Sequence, residues 1–140
     1  MKLRLKNSEL EDSLSLLNGM DLKNKDSRSR TKLAKAIYIL FEEFVEEEST
    51  LIRNHDLMGP DGNLKPEGER DLVQVAKFKR EQQILLDEVV IVESGSFANN
   101  FKDMERILNE YEGAFNGRDA YIYDLLLDEI ENNKEEVVND

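Results

Sequence analysis

The chain has 140 residues, 39% of them hydrophobic and 36% charged, with no cysteine and a formal net charge of -12; these values suit one domain with a modest core and a heavily charged surface. The lack of cysteine excludes disulfides, thiolate catalysis and sulfur-ligated metals together. Charge is unevenly placed, nine Lys/Arg against five Asp/Glu in residues 1–35 and ten against 26 in residues 36–140, so most of the surface repels phosphate backbones and direct nucleic-acid binding is disfavoured.

Lys2-Leu3-Arg4-Leu5-Lys6 alternates charge with leucine, which predicts a short half-exposed strand with charges guarding its edge and not the apolar core of a signal peptide. No stretch approaches the about 18 apolar residues of a membrane span. Asn7-Ser8-Glu9 offers a helix start, Leu10, Leu14, Leu16 and Leu17 its apolar stripe, and Asn18-Gly19 its stop.

After a polar stretch from Lys23 to Ser27, the longest helical pattern is expected from about Ser29 to Asn54. Leu33, Ile37, Leu40, Phe44 and Leu51 form one row and Ala34, Tyr38, Phe41, Val45 and Ile52 the next, together one broad buried face. Gly59-Pro60-Asp61-Gly62-Asn63 is a turn signal. Pro66 suits the first turn of a following helix, with Glu67, Glu69 and Asp71 at its positive end and Leu72, Val73, Ala76 and Leu86 inside. So short a connection makes the two helices an antiparallel hairpin.

Glu88-Val89-Val90-Ile91-Val92-Glu93 is β-branched, too short for a helix and closed by Ser94-Gly95-Ser96, so it reads as a strand. It is the natural partner for the first strand, with Lys2, Arg4 or Lys6 placed beside Glu88 or Glu93. Phe97, Phe101, Met104, Leu108, Tyr111 and Phe115 keep a helical period limited by Gly113 and Gly117. Asp119 is expected to cap a last helix with Ile122, Leu125, Leu126 and Ile130 inside. The fold class is thus mainly α with a small β part (α+β): an antiparallel helical hairpin, further helices and a two-stranded ribbon. Residues 1–131 form a single compact domain, and residues 132–140 read as an acidic, frayed tail.

Catalytic chemistry finds little support, and the chain reads as a non-enzyme without cofactor. The single histidine, His55, stands in a turn with no triad-like neighbours and is expected as an exposed loop residue. The Asp56–Glu67 loop fails as a calcium loop: with Gly62 at the sixth position, Leu57 and Gly68 occupy the first and twelfth, where Asp and Glu are required. No metal site is assigned. Two charge features point instead to a partner. Arg28 and Arg30, with Lys32 and Lys35, cluster where the long helix is expected to begin, against its macrodipole, and so suit an acidic partner surface or internal ion pairs. Glu42, Glu43, Glu46 and Glu47 project away from the apolar rows and are expected in solvent, as a partner face or as a solubilising one. Glu48 falls inside the apolar arc, which places it against a basic residue or at the open end of the hairpin, and we favour the second.

Leu22-Lys23, then Ser27-Arg28-Ser29-Arg30-Thr31-Lys32, the Glu-rich helix, the Asp-Gly-Asn turn and Glu88-Val89-Val90-Ile91 together resemble a family of small uncharacterised proteins encoded by phages of Gram-positive bacteria, and Lys2-Leu3-Arg4-Leu5 fits the same pattern. The resemblance implies a phage setting and the host-cell cytoplasm, and no catalytic residues. Two functions follow as expectations. One is a phage accessory protein that binds a protein with a basic surface, such as a host nucleic-acid-binding defence protein. The other is an assembly or structural factor of the virion tail or capsid; self-association is open in both.

Overall fold

A computed structural model describes residues 2–93 and 98–139. Five α-helices and a two-stranded antiparallel sheet follow the order β1 (Lys2–Lys6), α1 (Asn7–Gly19), α2 (Asn24–Asn54), α3 (Leu72–Asp87), β2 (Val89–Glu93), α4 (Ala98–Glu110) and α5 (Arg118–Asn139), so the chain is mainly α with a small ribbon. Ser94-Gly95-Ser96 and Phe97 lie outside the described residues.

Alternation in β1 sends Leu3 and Leu5 into the core and Lys2, Arg4 and Lys6 outward. In register, Lys2 stands opposite Glu93, Leu3 opposite Val92 and Leu5 opposite Val90. The expected pairing of the two strands holds, with Lys2 beside Glu93. Asn7 ties the ribbon to the helices: its backbone N–H donates to the Glu88 carbonyl at 3.0 Å and its buried Nδ2 to the Leu85 carbonyl at 2.8 Å. At the start of α1, Glu9 accepts from the Lys6 backbone N–H at 2.7 Å, satisfying a donor that helix geometry would leave open.

The core gathers Leu10, Leu16 and Leu17 of α1, Leu33 and Ile37 of α2, Phe101, Met104 and Leu108 of α4, and Ile122, Leu126 and Ile130 of α5. At ~25 cal/mol per Å² of buried apolar surface these side chains supply most of the folding drive. Polar ties hold the layers in register. Arg118 meets Asp12 at 2.7 Å between α5 and α1, and Arg106 meets Asp26 at 2.6 Å between α4 and α2.

Several boundaries differ from the sequence expectation. α2 begins at Asn24, not Ser29, because Lys23 accepts the first helical N–H groups, from Asp26 and Ser27, and Asp26 suits the positive end. α3 begins at Leu72 instead of Pro66: residues Glu67–Glu69 form only a 3-10 turn, and Asp71 caps the helix by accepting from the N–H groups of Val73 and Gln74 at 2.8 and 3.1 Å. α4 stops at Glu110, so Tyr111 and Phe115 leave the expected helix and stack in series with Tyr123, at centroid distances of 5.1 and 4.9 Å. α5 starts at Arg118, which puts Asp119 inside its first turn, and it runs on to Asn139 through residues where a frayed tail is expected.

The inner faces of the hairpin also need correcting. Tyr38 and Val45, expected inside, are exposed, as are Ala76, Leu72 (82%) and Val73 (62%). Phe78 and Leu85 are buried in their place, while Leu86 is half-buried against the core. The reason lies in tertiary reach. α2 has 31 residues, and its buried side chains all fall between Ser29 and Phe44, where α1 and α4 cover it. Beyond that point none of its side chains is fully buried, and the helix pair of α2 and α3 can bury only the seam between its members.

Candidate interaction face

The distal half of α2 and the neighbouring α3 form an antiparallel pair: His55 of α2 meets Gln74 and Glu81 of α3, and Glu48 lies by Gln82. Leu57 and Phe78 are buried there without belonging to the main core cluster. The connecting loop is closed by a Met58 to Leu64 bridge and by an Asx turn in which Asp61 accepts from the Asn63 backbone N–H at 3.1 Å. Gly62 takes a φ of 82° in that turn, a conformation that favours glycine. The same hydrogen bond holds the Asp61 carboxyl below its usual value.

His55 is not an exposed loop residue. It sits at the C-terminal end of α2, its side chain 13% exposed, with Nδ1 3.2 Å from Gln74 and Nε2 3.1 Å from Glu81, and its ring edge-on to Phe78. Both ring nitrogens are committed to holding α3. The hydrogen bond with Glu81, then that with Gln74, raises the imidazole pKa from its ordinary 6.5, against the opposing effects of burial and Lys77. A raised folded-state pKa stabilises the fold fully below the unfolded value, and this contribution fades as pH rises through the folded one. The melting temperature should therefore decline above pH 6.5 more steeply in the wild type than in His55→Asn. Melts across that window check this, and parallel pH profiles for the two proteins contradict it.

Glu48 proves half-buried and accepts from Gln82 Nε2 at 3.1 Å, so neither a basic partner nor an open end accounts for it. Glu42, Glu43, Glu46 and Glu47 are all exposed, and among the described residues no hydrogen bond or ion pair engages their carboxylates. Their spacing stacks Glu42 on Glu46 and Glu43 on Glu47. Two shallow depressions flank them. The larger, about 420 Å³, is lined by Leu51, Ile84 and Leu85 together with Glu47, Glu81 and Glu88. The smaller, about 290 Å³, sets Tyr38, Phe41 and Val45 beside Glu42 and Glu46. The carboxylates that line them do not converge: among the described residues no group of three or more His, Asp or Glu is placed to hold a metal ion. Glu81, Glu88 and Ile84 escaped the sequence reading, although Glu81, Ile84 and Glu88 keep an i, i+3, i+7 spacing.

The two arginines part company. Arg28 is exposed and has no partner among the described residues. Arg30 is half-buried; its Nη1 donates to the carbonyls of Leu17 and Met20 at 2.8 Å each, and its Nη2 to Ser27 Oγ at 3.2 Å. It therefore caps the C-terminal end of α1, which has no basic residue of its own in its last turn. The premise that both stand at a helix start is corrected with the earlier start of α2.

In a third depression, near Asp26 and Tyr111, Arg106 binds Asp26 and holds that carboxyl below its ordinary value, while Asp21, Glu110 and Glu112 keep the lining acidic. Among the described residues no helix is long and apolar enough to cross a membrane. No protein-family model matches the chain, and no curated protein or solved structure matches it significantly.

Proposed function

We propose that the chain is a non-enzymatic phage accessory protein that binds another protein through its α2–α3 hairpin, offering carboxylates to the basic groove of a host nucleic-acid-binding defence protein. The observation that carries this reading is the depression whose lining joins Leu51, Ile84 and Leu85 to the carboxylates of Glu47, Glu81 and Glu88. An Arg or Lys has a matching two-part character, an aliphatic stem for the apolar side chains and a cation for the carboxylates. The neighbouring Glu42, Glu43 and Glu46 extend the negative field, which speeds encounter with a basic surface and repels nucleic acid itself.

The alternative, a tail or capsid assembly factor, draws support from Leu72 and Val73, exposed on the first turn of α3, since large exposed apolar side chains commonly mark protein contacts. A titration of the isotope-labelled protein with an arginine-rich helical peptide tests the first reading. Amide shifts concentrated between residues 42 and 51 and between 81 and 88 are expected. Shifts scattered over every acidic segment would show unspecific attraction and remove the support for a dedicated face.

A further inference from the structure

The ribbon has one closed edge and one open edge. Because the Asn7 N–H donates to the Glu88 carbonyl, the same register makes Leu5–Val90 and Leu3–Val92 the hydrogen-bonded pairs. Arg4 and Lys6 then direct their N–H groups away from β2, and both are satisfied there, Arg4 by Glu129 of α5 at 3.3 Å and Lys6 by Glu9 at 2.7 Å. On β2 the corresponding outward residues are Val89, Ile91 and Glu93, and among the described residues nothing is bonded to their outward backbone groups. Val89 is 56% and Ile91 41% exposed. Val90 points to the core side yet is only half-buried, while Leu5 opposite it is buried, so cover thins toward the β2 edge. An uncovered, β-branched, proline-free edge is a template for another strand.

We propose that this edge is a self-association site, at which β2 pairs antiparallel with β2 of a second copy about a two-fold axis through Ile91. The arrangement is self-complementary. With Ile91 facing its own equivalent, Val89 faces Glu93 of the other copy, and every outward donor and acceptor of the three residues gains a partner. Charge favours the same register. Across the four strands the outer face reads Lys2, Glu93, then Val89 and Lys6 of the second copy, so each Glu93 has Lys2 directly beside it and the other copy's Lys6 one strand beyond Val89. The central row places Ile91 against Ile91, flanked by Arg4 on either side. With Lys2, Arg4 and Lys6 against Glu93, this face is locally basic on a protein of net charge -12, which eases the approach of two such acidic bodies here. Their residual long-range repulsion makes the dimer stronger as salt rises, the opposite of the hairpin's expected response to salt.

The absence of cysteine makes the register directly testable. In the proposed dimer the Ile91 Cα atoms are about 5.5 Å apart, within disulfide reach, whereas the two Val89 positions are separated by roughly 14 Å along the strands. Under mild oxidation Ile91→Cys should form a disulfide-linked dimer at least roughly tenfold more than Val89→Cys, a control at a more exposed position. Circular dichroism confirms that both variants are folded. For the wild type, sedimentation at about 0.1 M and about 1 M salt, with screening lengths of roughly 10 and 3 Å, should show a dimer fraction that grows with salt. A monomeric wild type at both salts, equal cross-linking of the two variants, or assemblies larger than dimers would each overturn the proposal.

Discussion

Arg30→Gln is expected to destabilise the protein by about 1.5 to 3 kcal/mol, the range for a charged hydrogen-bond donor removed from its acceptors. The guanidinium answers two carbonyls at once, those of Leu17 and Met20, at the end of α1, and glutamine is too short and too weak a donor to serve both. Loss of the cation also removes its attraction for the negative end of the α1 dipole. Arg28→Gln, in contrast, should change stability by no more than about 0.5 kcal/mol, as for other surface substitutions. Denaturant unfolding of the two single variants reads the difference. Equal midpoints would mean that water replaces Arg30 at those carbonyls without cost. The pair must be tested separately, because a double variant would hide opposite roles behind one number.

That division between Arg28 and Arg30 shows where sequence reasoning ran out. Periodicity located every helix and both strands, because burying an apolar stripe leaves a spacing that can be read directly. It could not say how far the rest of the protein reaches along a helix. Tyr38 and Val45 keep perfect spacing with Phe41, yet both are exposed: Val45 lies past the last buried side chain of α2, and beside Tyr38 it is Ile37 that takes the buried position. Tyr111 and Phe115 continue the α4 row in phase, but stacking on Tyr123 competes with the helix and wins. The start of α3 was misplaced for a local reason: Pro66 suits a first helical turn, but the side chain of Asp71, read only as an acid near that helix's positive end, accepts two N–H groups and caps the helix at Leu72. The four glutamates were legible as a solvent face because nothing tertiary was needed to place them. Their companions Glu81 and Glu88 lie across the hairpin, and only the packing of α3 on α2 brings them to the same depression.

The second large effect concerns that face. Changing Glu42, Glu43, Glu46 and Glu47 together to glutamine leaves the helix propensity of α2 nearly unchanged and relieves repulsion within it. Folding should therefore be unaffected or slightly improved, while affinity for a basic partner should fall. Four exposed charge contacts near the middle of the ~0.2 to 1 kcal/mol range amount to a loss of about tenfold or more at low salt. An assembly factor docking through Leu72 and Val73 would behave differently, keeping its affinity in the glutamine variant and losing it when those two residues are made polar.

The most direct measurement takes the protein that the wild type captures from host cells and compares its dissociation constant for the wild type and for the four-glutamine variant at about 0.05 M and about 0.15 M salt. The hairpin reading predicts a wild-type affinity that falls steeply between the two salts, and a variant that is weaker at the lower salt and nearly insensitive to the change. An affinity independent of salt and equal in the two proteins would contradict it.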